Sequence, residues 1–238
     1  MITLLLATRN AHKVGEIRAI LGEQFRYLTL AEFPHAPAGV EDANTFAGNA
    51  TKKATELARW VSRLAAAAHH LSPDFVLADD SGLEVDALGG QPGVHSARFT
   101  ALDSGQPGNS PDADNNAKLL RLLKDVPTEK RTARFRCVLA LTPVMSSQVE
   151  NASPVCYADE LEMQTQRFEG ACEGRILNTP GGRGGFGYDP LFVPEGFELS
   201  FAELGEDVKN RLSHRARALA QLKVALRAAG GKTSRNGE

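Results

Sequence analysis

Two neighbouring aspartates, Asp79 and Asp80, close the apolar run Phe75-Val76-Leu77-Ala78 in the stretch FVLADDSGLEVD. Burying one carboxylate without a partner is costly, and burying two side by side costs more. The pattern therefore has two readings. Either the strand ends in water at a turn over Ser81-Gly82, as acids commonly do, or a positive charge is meant to sit beside it. Four other clusters bear on the choice.

In ATRNAHK (7–13) a buried run breaks into Thr8, Arg9 and Asn10 and then opens a helix that bears Lys13. The first turn of a helix offers unpaired N–H groups, and a lysine adds full charge, so this is a natural anion site. Thr and Asn also serve as plain caps. In EDANTFAGNATKKA (41–54), Thr45, Asn49 and Lys53 are spaced four apart and share one helix face. Such a stripe is also ordinary solvated surface. Glu41 and Asp42 precede it, where they either favour the helix dipole or hold a metal.

NTPGGRGGFGYDPLF packs five glycines into residues 181–187, which lets backbone approach a ligand closely. It lacks the Gly-Lys-Ser/Thr of a Walker A loop. What it delivers is Phe186, Tyr188 and Asp189, an aromatic face beside a carboxylate, suited to a flat heterocycle. The other reading is a glycine-rich hairpin with Phe186 in the core. KNRLSHRARAL (209–219) is either a plain basic helix face or a helix that Ser213 caps, with His214 and Arg215 in its first turn. Cations there oppose the dipole unless an anionic or carbonyl ligand compensates. Phosphate cations, acidic positions for a divalent ion and an aromatic, polar pocket together make the parts of a metal-dependent nucleotide enzyme.

The elements that must position these groups follow from periodicity. ITLLLAT (2–8) is an apolar run without alternation, as in a strand buried on both faces. AHKVGEIRAILG reads as a helix stopped by Gly22, and residues 26–30 as a weaker strand. A long helix is expected from Thr45 to about His70, with Phe46, Ala50, Ala54, Leu57, Val61, Leu64 and Ala68 on its apolar stripe. Then come the strand at 75, a second short strand at 83–87, a capped helix in DADNNAKLLRLLKDV and a strand in TARFRCVLALTP. One or two strands follow in 150–177, then a mostly helical segment at 206–229. The class is α/β, one domain over residues 1–229 folded as two lobes about a cleft, with a disordered tail at 230–238.

Bulk numbers exclude several functions. The net charge is -2 over 238 residues, so nothing favours a nucleic acid polymer as partner, and any phosphate affinity must be local. No apolar run approaches the roughly 20 residues that span a bilayer. The N-terminal stretch lacks the form of a signal peptide. Cys137, Cys156 and Cys172 form no metal or disulfide pattern, which points to a reducing compartment, the cytoplasm.

The order and wording of LLLATRNAHKVGEIRAIL, TFAGNATKKA, LADDSGLEVDALGGQPGVHSARF, GGFGYDPLF and LSHRARAL resemble the successive motifs of the inosine triphosphate pyrophosphatase (Ham1-like) family, over residues 2–227. The resemblance implies an elongated central mixed sheet flanked by helices, two lobes with a nucleotide cleft between them, and a homodimer. It implies hydrolysis of ITP, dITP and XTP to the monophosphate and pyrophosphate with Mg²⁺. Matched motif by motif, Thr8, Asn10 and Lys13 correspond to the phosphate loop, with Arg9 an added cation that either touches the phosphates or points outward, and Lys53 corresponds to a second phosphate cation. Glu41 and Asp80 correspond to metal ligands, Asp80 also to the base that activates water, and Ser81 to a substrate contact. Phe186, Gly187, Tyr188, Asp189, Lys209, His214 and Arg215 correspond to the nucleoside pocket. Arg9 stands where many members carry Gly, and Gly48 where an acid often precedes the motif Asn. EDAN replaces the commoner ETG, which keeps both Glu41 and Asp42 in play as metal ligands. Because successive strand residues face opposite ways, Asp79 is expected to point away from Asp80, onto amides of the Ser81-Gly82 turn or toward the metal through water.

Overall fold

Apolar runs too uniform to alternate form the middle of a six-stranded sheet, seen in a computed structural model that describes residues 1–65, 72–105, 107–145 and 161–233. The strands are β1 (Thr3–Leu6), β2 (Arg26–Thr29), β3 (Phe75–Val85), β4 (Thr132–Pro143), β5 (Gln166–Ile176) and β6 (Phe192–Pro194). Their order is β2-β1-β3-β4-β5-β6. β1 pairs in parallel with both β2 and β3, and β5 with β6 antiparallel, so the sheet is mixed, as expected. The principal helices are α1 (Ala11–Leu21), α2 (Phe46–Ala65), α3 (Asp112–Leu122), α4 (Phe201–Leu204), α5 (Glu206–Leu212) and α6 (His214–Thr233).

The chain divides into two compact units. One comprises Met1–Asp80, Val138–Phe168 and Ala218–Glu238, the other Ser81–Cys137 and Glu169–Arg217. In the first unit Leu4, Leu5 and Leu6 of β1 are wholly buried, and α2 sinks Ala50, Ala54, Leu57, Ala58 and Val61. The second has its own core, in which Phe135 of β4 packs against Phe192 and Phe201 at ring-centroid distances of 4.7 and 6.2 Å.

Two expectations change. β3 runs unbroken from Phe75 to Val85, so Ser81-Gly82 is not a turn and no separate strand begins at 83. Pairing with neighbouring strands overrides the local turn preference of Ser and Gly. α6 continues to Thr233, so the first four residues of the expected tail are helical; residues 234–238 lie outside the described residues. α2 is described to Ala65, and residues 66–71, including Ala68, fall outside the description. Cys137 and Cys172 are buried thiols, and burial pushes the Cys172 thiol up to about 11, which keeps it protonated and inert. Cys156 lies outside the described residues.

Candidate active site

Register places the first cluster. Leu6 of β1 pairs with Leu77 of β3, and the amide of Ala7 donates to the Leu77 carbonyl at 2.8 Å. The loop that follows β1 therefore leaves the sheet beside Asp79 and Asp80. Asn10 caps α1, its side-chain oxygen accepting from the amides of His12 at 2.9 Å and Lys13 at 3.2 Å, while Thr8 Oγ1 accepts the Asn10 amide at 3.1 Å. Arg9 and Asn10 are exposed, and no acid sits in the first turn of α1, so the helix start is open to an anion. Arg9 Nη2 donates to the Ala36 carbonyl at 3.4 Å.

Lys13 reaches back to the strand and pairs with Asp79 Oδ1 at 2.6 Å. The two aspartates thus have different lysine partners, Lys13 for Asp79 and Lys53 for Asp80. Asp80 meets α2. Lys53 Nζ donates to Asp80 Oδ1 at 2.9 Å, to the Asp79 carbonyl at 2.9 Å and to Glu41 Oε1 at 3.1 Å. Asn49, one turn earlier, gives its amide to Asp80 Oδ2 at 3.2 Å and accepts the Ala43 amide at 2.9 Å. Asn49 thus joins Lys53 in the cluster, as their shared helix face suggested, although the family match assigned it no role. Asp42 turns instead to Lys52, at 2.7 Å on the surface, which leaves Glu41 as the acid that joins Asp80. Gly48 is explained by contact: a Cβ there would sit 2.8 Å from the Ala43 Cβ, so the acid common at this position does not fit.

Burial raises the Asp80 carboxyl above its ordinary value, against the pull of the Lys53 and Lys13 ammoniums. For Lys53, burial alone would lower the ammonium, but the charges of Asp80 and Glu41 outweigh it and hold it above its ordinary value. Two hard carboxylates converging on a single positive centre suit a divalent cation. Among the described residues no three His, Cys, Asp or Glu side chains are grouped for a metal. Glu41 and Asp80 are the residues that could hold such an ion, with water and phosphate oxygens as further hard donors.

The second cluster lies in the other unit and starts at Ser81, the residue after Asp80. Its Oγ accepts from Arg215 Nη2 at 2.8 Å. Ser213 caps α6 by accepting the Ala216 amide at 3.2 Å, which places His214 and Arg215 in the first turn as the spacing predicts. His214 stacks on Phe135 with centroids 4.8 Å apart and planes 13° from parallel. Asp189 Oδ2 accepts from Lys209 Nζ at 2.5 Å and from the Phe186 amide at 2.9 Å. Lys209 Nζ also lies 4.2 Å from the centre of the half-buried Phe186 ring, a cation–π contact. Gly185 is required here: its φ is +73° and a Cβ would stand 2.3 Å from Asp189 Oδ2.

The glycine loop does not present Tyr188 as an aromatic face. Its ring is buried in the core and its hydroxyl donates to the Ser96 carbonyl at 2.9 Å. Burial pushes that hydroxyl up, so it stays neutral. Phe186 and Gly187 are the half-buried residues of the turn, and any contact from Tyr188 would come from its backbone. Sequence reasoning also missed Asp112 and Asn116 of α3, which bond the backbone of Gly187.

A model of the Ham1 family matches residues 4–225. The chain is 42% identical over 226 residues to a dITP/XTP pyrophosphatase of Shouchella clausii, covering 95% of this chain and 97% of that one. It is 46% identical over 224 residues to a dITP/XTP pyrophosphatase of Geobacter sulfurreducens, covering 94% and 96%. Among solved structures, a HAM1 protein from Coxiella burnetii superposes with a TM-score of 0.72 at 32% identity, over 96% of this chain and all (100%) of that one.

Proposed function

The chain belongs to the Ham1 family, and from that premise we propose that it hydrolyses the non-standard purine nucleotides ITP, dITP and XTP to the nucleoside monophosphate and pyrophosphate. One observation carries the reading at the level of chemistry. Asp80, a buried carboxyl raised above its ordinary value, sits with Lys53, Asn49 and Glu41 beside a helix start that bears Lys13. A base with its phosphate cations already placed is what a phosphoanhydride hydrolase needs, because such catalysis rests on positioning and charge neutralisation.

In this reading the first turn of α1, with Thr8, Arg9, Asn10 and Lys13, binds phosphate oxygens, and Lys53 adds a second ammonium. Glu41 and Asp80 would hold a divalent cation, Mg²⁺ by the hardness of the donor set, which when bound supplies charge neutralisation and a more acidic water. Asp80 orients the water that attacks the α-phosphorus and takes its proton. Ser81, next in the chain, contacts the nucleotide. Phe186 offers its face to the purine, and the turn through Gly187, Tyr188 and Asp189 edges the pocket together with Lys209, His214 and Arg215. Donors aimed at the 6-carbonyl of hypoxanthine or xanthine leave an adenine amino group unpaired, a kind of mismatch that discriminates by roughly 10⁴-fold. Rejection of GTP must rest on its 2-amino group.

The test is pyrophosphate release from ITP, XTP, dUTP, ATP and GTP with Mg²⁺. Release from ITP and XTP with ATP and GTP near background is expected. Preferred turnover of dUTP would point to a pyrimidine pyrophosphatase, and binding of ITP without turnover to a nucleotide-responsive regulator.

A further inference from the structure

Helix α3 grips one residue of the glycine loop by both ends of its backbone. Asp112 Oδ2 accepts the Gly187 amide at 2.6 Å, and Asn116 Nδ2 donates to the Gly187 carbonyl at 3.0 Å. The two side chains are four residues apart and so share a helix face. Gly187 has a φ of +62°, and its neighbours are Phe186, against the Lys209 ammonium, and Tyr188, anchored to Ser96. A glycine in this conformation can turn its flanking peptides at little steric cost. The grip removes that freedom, because the amide belongs to the peptide before Gly187 and the carbonyl to the peptide after it.

Asn116 is only 9% exposed, so its bond to the Gly187 carbonyl is largely shielded from water.

We propose that Asp112 and Asn116 are the positioning residues for purine selectivity: by fixing both peptide planes at Gly187 they give the base-recognition turn one rigid geometry. The proposal rests on the reading of residues 186–189 as the base pocket. A pocket rejects a wrong base through unpaired polar groups only if those groups cannot relax to meet it. Loosening the turn lets ATP and GTP find partners while ITP loses its ideal ones. Chemistry at Asp80 is left alone.

The experiment measures kcat and KM for ITP, GTP and ATP in the wild type and in Asp112→Ala, Asp112→Asn and Asn116→Ala, with thermal unfolding recorded for each. Asp112 is exposed, so its alanine variant removes no core packing. For Asp112→Ala and Asn116→Ala the expectation is a KM for ITP about tenfold higher, kcat within about twofold, and preference for ITP over ATP and GTP reduced about tenfold. Asp112→Asn keeps an acceptor for the Gly187 amide and should stay near wild type. Unchanged selectivity in a folded alanine variant, a loss confined to kcat, or Asp112→Asn as damaged as Asp112→Ala would each overturn the proposal while the base-pocket reading stands. A wild type with no preference for ITP would overturn that reading and this proposal together.

Discussion

Asp80 gains its chemistry from neighbours that pull in opposite directions. Burial raises its carboxyl, and Lys53 with Lys13 restrains the rise. In the proposed mechanism the ionised form is the base, so kcat/KM should climb with pH through a value above the ordinary carboxylate range near 4. Lys53→Met removes the first restraint, and the acid limb of the profile should then move to higher pH. A limb that stayed in place or moved down would deny that this carboxyl is the base. The same shift fixes the sign for stability. Because folding raises this carboxyl, its favourable contribution is present below the unfolded value and is lost as pH rises through the folded one. Lys53→Met also leaves the buried Asp80 carboxyl short of a cation and should lower stability by about 3 kcal/mol, measured by denaturant unfolding. Asp80→Asn keeps the shape and removes the base: kcat should fall by roughly 10²-fold or more with nucleotide affinity largely kept, and near wild-type turnover would remove Asp80 from its role.

At the scale of elements, each side chain is placed by something local. Asn10 caps α1 and so holds the helix start on which the proposed function places the phosphates; Asn10→Ala should cost about 1 kcal/mol of stability and raise KM for the nucleotide more than it lowers kcat. Gly185→Ala would drive a methyl into the Asp189 carboxylate, and should weaken nucleotide binding while the protein still melts cooperatively. Local pattern is also what made some of this legible in the sequence. The uniform apolar run of β1, the polar spacing of α2 that carries Lys53, and the Ser213 cap each depend on a few adjacent residues, and each is found in the structure. What depended on distant partners was not legible. Lys13 finds Asp79 only because β1 lies beside β3. Ser81 and Gly82 look like a turn until strand pairing carries β3 through them. Tyr188 looks like a displayed ring until the Ser96 carbonyl and the surrounding apolar core claim it. Asp112 and Asn116 had helix spacing but nothing nearby to say that Gly187 was their partner.

For the whole molecule, a net charge of -2 means that affinity for a triphosphate comes from placed cations and not from a general field. Among the described residues no helix is long and apolar enough to cross a membrane. The family resemblance adds a cytoplasmic homodimer to the proposal, and sedimentation of the purified chain at twice its 25.6 kDa mass is the expected result. The account's centre is narrower: water, oriented by Asp80, attacks the α-phosphorus of a 6-oxo purine triphosphate. Hydrolysis of ITP in water labelled with heavy oxygen, followed by mass analysis of the products, tests this most directly. The account predicts label in the monophosphate and none in the pyrophosphate. Label in pyrophosphate, or the appearance of IDP with inorganic phosphate, would contradict it.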